Sequence, residues 1–169
     1  MRARGPLVYD EYRTILSDRS DETMIPPEVL EQYNSGKGES LVTAPKPDIV
    51  LMKVIGHLDK IMGRRTLDIV DKLVPQHRVF YLFCDWAEMN GYDSEIRNMY
   101  TQWVASNRSR LKVHILVSSK LVSMGVSVAN LALGGSLIGY TNRPAFEAAL
   151  RSTRMGLGGD RKSTRLNSS

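Results

Sequence analysis

Apolar residues along this chain repeat with two different periods, and the change from one to the other marks its elements. Leu41 to Ala44 is a short apolar run closed by Pro45-Lys46-Pro47, which predicts a strand and a stop. Ile49 to Ile55 is apolar throughout except for Lys53, as a strand buried on both faces requires, and Gly56 is expected to end it. From Asp59 to Leu73 the period lengthens: Met62, Ile69, Val70 and Leu73 share one helical face, with Pro75 just beyond. Val79 to Cys84 reads as a central strand that stops on Asp85. A helix follows from about Asp93 to Ser106, with Ile96, Tyr100, Trp103 and Val104 on one side. Lys112 to Val117 is another buried strand. Leu121 to Leu133 is apolar nearly all round, the mark of a buried helix, and Gly134-Gly135 stops it. Leu137 to Tyr140 is a last strand. A helix capped by Thr141 or Asn142, with Pro144 in its first turn and Phe146, Ala149 and Leu150 inward, closes the series.

The order is β-β-α-β-α-β-α-β-α. Strands separated by single helices are parallel crossovers, so an α/β domain with a mixed, mainly parallel sheet covered by helices is expected over residues 40–155. Residues 1–39 read as a flexible extension. They mix charges densely, contain Pro26-Pro27 with a short helix expected from Pro27 to Tyr33, and end in the linker-like Asn34-Ser-Gly-Lys-Gly-Glu39. Residues 156–169 read as a disordered tail. Its last part, Asp160 to Ser169, resembles the in-frame translation of a sequencing-library adapter and is left out of the fold reasoning.

Composition narrows the function classes. Of 169 residues, 42% are hydrophobic and 24% charged, ordinary for a globular protein. One cysteine excludes an internal disulfide, and His57, His77 and His114 lie too far apart for a metal motif, so no metal or cofactor is expected. The net charge of +5 does not point to nucleic acid. Two of those charges lie in the adapter-like segment, and Arg64-Arg65 and Arg108-Ser-Arg110 lack interleaved aromatics. No apolar run is long enough to span a bilayer and no leader pattern follows Met1, so a cytoplasmic location is the expectation.

Candidate chemistry gathers after the central strand. Asp85, Trp86, Asp93 and Ser94 fall where open α/β sheets bind their partners. Capping the next helix is the ordinary role of Asp93 or Ser94, worth ~1 kcal/mol. An exposed serine at a helix start is also a phosphate acceptor, though Asp85 and Asp93 would repel the added charge. Gly125-Val-Ser127-Val-Ala129 fits a nucleophile elbow poorly, because Ser127 falls inside a helix rather than between strand and helix. A catalytic reading would need a histidine such as His57, or a lysine, brought to Asp85 or Ser118. No enzyme activity is expected. The apolar helix offers a second candidate, in which Leu121, Met124, Val128 and Leu131 line an apolar-ligand cavity or meet a membrane surface.

The element order and the spacing Asp85-x7-Asp93-Ser94 resemble the STAS fold of anti-sigma-factor antagonists, in which an Asp-Ser pair opens the helix after a strand ending in Asp. That resemblance implies a regulatory protein-binding module whose phosphoserine position is Ser94, modified by a partner anti-sigma kinase so that the complex breaks. Antagonists continue with Ser-Gly-Leu-Gly or similar, where this chain has Ser94-Glu95-Ile96-Arg97. The stretch from Val117 through Gly135 to Phe146 is similar to the SpoIIAA-like, STAS/CRAL-TRIO-related branch of small bacterial proteins, which implies apolar-ligand or membrane binding. Either way the expected partner is a protein, including a second copy of the chain, or an apolar ligand.

Overall fold

In the computed structural model, which describes residues 28–156, the chain begins with a β-hairpin. Strand β1 (Glu28–Asn34) pairs antiparallel with β2 (Gly38–Lys46). The helix expected over Pro27–Tyr33 is therefore a strand as far as it is described, and the expected boundary at residue 39 falls inside β2. Turn chemistry decides this. The Asn34 side chain accepts from the Gly36 amide at 2.7 Å and donates to Glu39 at 2.8 Å, and Gly36 takes the left-handed φ of +82° that a tight hairpin needs. Leu30 and Tyr33 then pack on the main core, and the Arg65 guanidinium lies 4.6 Å from the centre of the Tyr33 ring. The rest of the expected extension, and the tail from residue 157, lie outside the described residues.

The remaining elements follow the expected order: β3 (Ile49–Leu58), α1 (Lys60–Leu73), β4 (Phe80–Tyr92), α2 (Ser94–Asn107), β5 (Leu111–Val117), α3 (Lys120–Ala132), β6 (Leu137–Tyr140) and α4 (Arg143–Arg154). A single 3-10 turn, Val74–Gln76, follows α1. Three strands run longer than the sequence pattern indicates, and β2 runs from Gly38 through Pro45 to Lys46, past the stop expected there. Gly56 does not end β3: it takes φ +76°, absorbs a register shift, and the strand continues to Leu58. That extension gives β4 a partner well past Asp85, so β4 runs on to Tyr92.

One mixed sheet results, with its six strands in sequence order β1-β2-β3-β4-β5-β6. The first three strands are antiparallel and β3 to β6 are parallel. All three parallel crossovers step in the same direction, so right-handed connections put α1, α2 and α3 on one face. The larger core lies there: Met52, Leu82 and Cys84 from the sheet meet Met62, Ile96 and Val122 from the helices. Helix α4 comes after the last strand and returns over the other face, where Phe146 and Leu150 pack on Leu51, Phe83 and Leu116. Asn142 rather than Thr141 caps it, accepting from the Ala145 amide at 2.9 Å. Alternation along β4 divides the cores, with Leu82, Cys84 and Trp86 pointing to one face and Phe83 and Asp85 to the other.

Helix α3 departs most from the sequence pattern. Its inner residues Val122 and Gly125 are buried, yet Leu121, Met124, Val128 and Leu131 are 59%, 61%, 53% and 82% exposed. The helix is apolar on two sides and the sheet covers only one.

Candidate functional site

The sequence-predicted cluster does not assemble into one surface. Asp85 sits inside β4, with 0% of it exposed, on the face that α4 covers. Arg143, from the first turn of α4, donates to both its oxygens, at 2.8 Å from Nη1 and 3.3 Å from Nη2, and the Ala87 amide adds a third bond at 3.2 Å. A carboxylate held this way joins a helix to a sheet. It is not open to solvent or to substrate. Lys53 lies opposite it in register on β3 and reaches Glu88 at 2.9 Å.

Trp86, the next residue, faces the other core and is 7% exposed, with its ring edge-on to Tyr100 at 5.9 Å between centroids. It therefore offers no exposed rim to a partner. Met89 is buried beside it in the same core.

Asp93 occupies the N-cap position of α2, but its side chain makes no bond to that helix. It reaches sideways to α1 instead. One oxygen meets His57 Nε2 at 2.9 Å and the other accepts from the Lys60 amide at 2.8 Å, so the start of α1 is held by its own cap Asp59 and by Asp93. The His57 bond, helped by the Lys60 amide, keeps the Asp93 carboxyl below the usual carboxylate range. Ser94 is the first residue of α2 and is exposed. Beside it, Glu95 pairs with Lys60 Nζ at 2.8 Å. Of the four residues singled out, then, only Asp93 and Ser94 lie together at the surface, and the histidine available to the site is bonded to Asp93, not to Asp85.

Arg143 was not singled out in the sequence, and His57, considered there as a partner for Asp85 or Ser118, bonds Asp93 instead. Each pairs with an acid tens of residues away, and nothing local marks such a pairing. Ser119 stands at the N-cap of α3 without a side-chain capping bond, and Ser127 spends its hydroxyl on the Ser123 carbonyl at 2.9 Å within the helix. That bond leaves the serine in ordinary helical geometry. Among the described residues no group of three or more His, Cys, Asp or Glu could hold a metal ion, and no helix is long and apolar enough to cross a membrane.

The α3 helix presents two apolar features. Under it, between the sheet and α2, lies a cavity of about 60 Å³ whose walls include Leu82, Cys84, Trp86, Ile96 and Val126. Burial pushes the Cys84 thiol well above its ordinary range, so it stays protonated and inert there. Among the described residues, none gives the buried Trp86 indole N–H a hydrogen-bond partner. At Gly125 there is no room between α3 and β4 for a side chain: a Cβ there would clash with Tyr92 Oη. The second feature is the outer stripe of Leu121, Met124, Val128 and Leu131. Those four residues do not line the inner cavity, as the sequence reading expected. Met124 and Val128 instead border an open groove of about 550 Å³ outside the helix, shared with Val117, Ser123 and Thr141.

With the geometry described, the fold is plain. The chain is an α/β domain with one six-stranded mixed sheet and helices on both of its faces. No family model matches it, and no curated protein matches it. Among solved structures it is similar to an uncharacterized protein from the DUF3478 family with a SpoIIAA-like fold, from Shewanella loihica PV-4, at 12% identity and a TM-score of 0.47, over 77% of this chain and 99% of that one. A likeness this distant says nothing about activity.

Proposed function

We propose that this chain is a non-enzymatic, STAS-like regulatory module that binds another protein, and that its contact surface is the outer face of α3 rather than the Asp85–Ser94 stretch. One observation carries the reading: four large apolar side chains stand exposed in a row on one helix. Apolar residues scattered singly on a surface need no explanation, but a contiguous stripe beside a groove marks a place where something docks. Lys120 is the only charged residue of α3, so desolvating this face meets little electrostatic cost. Ser94 serves as the point of regulation in this reading. It is exposed between Asp93 and Glu95, and a phosphate on it would compete with Glu95 for Lys60.

The test is cross-linking in the source cell. Leu131→Asp is expected to reduce recovery of the partner captured by the unaltered protein by about tenfold or more, the worth of one well-buried leucine. Ser94→Ala is expected to leave recovery unchanged and Ser94→Asp to weaken it. Equal recovery by Leu131→Asp would remove the basis for the α3 surface.

A second reading, a small apolar ligand under α3, is supported by the apolar cavity there and by the indole N–H of its wall residue Trp86, unpartnered among the described residues. A buried donor without an acceptor costs ~1–3 kcal/mol, which a ligand oxygen would recover. Native mass spectrometry of protein prepared without detergent is expected to find an adduct that Trp86→Phe loses. A bare-chain mass in both would eliminate it.

A further inference from the structure

The α3 stripe has a symmetry of its own. Leu121, Met124, Val128 and Leu131 are spaced three, four and three residues apart, the interval of a coiled-coil seam and one that reads the same in both directions. Leucine stands at both ends, and two unbranched or branched apolar residues of middling size stand between them. All four side chains fall within less than a quarter-turn of the helix, on the side away from the sheet. One flank carries Ser123, Ser127 and, at the amino-terminal end, Lys120; the other carries Ala132.

We infer that α3 pairs with α3 of a second copy of this chain, antiparallel, across a twofold axis. A twofold interface must be self-complementary, so that what residue i meets in the partner, the partner's residue i meets in return. The spacing meets that condition without adjustment. Antiparallel pairing sets Leu121 against Leu131 of the partner subunit, and Met124 against the partner's Val128. Parallel pairing would also align the seam, but it would bring the two Lys120 side chains together at one end; antiparallel pairing sends them to opposite ends. The seam is about 15 Å long, short beside the ~800 Å² per partner of a standard interface, so the pairing is weak, with a dissociation constant on the order of micromolar. A weak pair on a partner-binding face can be displaced by a partner, and the inference rests on α3 being a contact surface at all.

Sedimentation velocity over a concentration series tests it, with a charge swap as the decisive arm. The unaltered chain is expected to shift from monomer to dimer as concentration rises. Leu131→Glu alone and Leu121→Lys alone are each expected to remain monomeric, since either homodimer would bury charges twice. Mixed together, the two variants are expected to form a heterodimer, because antiparallel pairing sets the new glutamate against the new lysine; that rescue also shows that both variants are folded. A dimer untouched by Leu131→Glu, or a mixture that stays monomeric, overturns the antiparallel α3 pair. A monomer at every concentration overturns it too, and if Leu131→Asp still loses the captured cellular partner, the binding-surface reading stands while the self-pairing falls.

Discussion

Replacing Asp85 with alanine is expected to cost the fold about 3–5 kcal/mol, the loss found when one member of a buried ion pair is removed. Asp85 is fully buried and takes both guanidinium donors of Arg143. Without it, Arg143 keeps Glu147 at 3.9 Å within its own helix but loses the short bidentate bond, and the sheet loses a polar tie to α4. Domains of this size have stabilities of roughly 5–15 kcal/mol, so much of the margin would go. Urea unfolding measures it. The control is Asp85→Leu combined with Arg143→Leu, which removes both charges and is expected to be the more stable of the two proteins. A loss under ~1 kcal/mol for Asp85→Ala would mean that desolvation already cancels the attraction, and that the pair fixes position without adding stability.

Acid is expected to weaken the fold through His114. This imidazole is 8% exposed, stacks on Phe83 with 4.3 Å between ring centroids, and meets Tyr140 Oη through Nδ1 at 2.8 Å. Burial disfavours its charged form and pulls its pKa from 6.5 to about 4. The unfolded chain therefore binds a proton at a pH where the folded chain does not. The stability that neutral His114 brings is complete above pH ~6.5, falls as the pH drops toward 4, and levels off below that. The total is about 3 kcal/mol at 1.36 kcal/mol per pH unit. Asp93, also depressed, adds a loss of the same sign at lower pH, small because its carboxyl is partly exposed. Urea midpoints at pH 7, 5.5 and 4.5 for the unaltered chain and for His114→Phe separate the contributions. The variant, which keeps the stack on Phe83, is expected to be flatter across this window. Parallel slopes for the two proteins would clear His114 of the effect.

Local patterns revealed most of the fold and little of the site. The apolar runs of β3, β4 and β5 and the faces of α1 and α2 follow from one-dimensional periodicity, because each element buries what its own spacing presents. The front hairpin was hidden because Asn34-Ser-Gly-Lys37 has the composition of a linker, and its turn hydrogen bonds exist only once β2 has a neighbour. The length of β4 was hidden because a strand ends where its partner ends, and that partner was extended by the Gly56 bulge. For the site, Asp85 and Asp93 part because Asp85 lies inside β4 and points to the α4 face, whereas Asp93 lies beyond the end of the strand and bonds across to α1. An acid's sequence position gives its neighbourhood along the chain, but its partners Arg143 and His57 come from elsewhere in the fold. Helix α3 is the opposite case. Its apolar composition is plain in the sequence, but composition alone does not tell a helix buried on all sides from one buried on one side and waiting on the other.

Strand order that copies sequence order has a kinetic meaning. Each new strand docks on the edge left by the one before it, so no pairing waits for a segment synthesised much later. The β1–β2–β3 meander closes short loops, and each later crossover adds one helix and one strand to a finished edge. Loop-closure entropy, the usual brake on parallel sheets, is then spent in small successive steps. The domain can assemble from its amino-terminal edge while its carboxyl-terminal half is still on the ribosome. Within that sequence, α3 and β6 come near the end, and the apolar stripe is among the last surfaces to emerge.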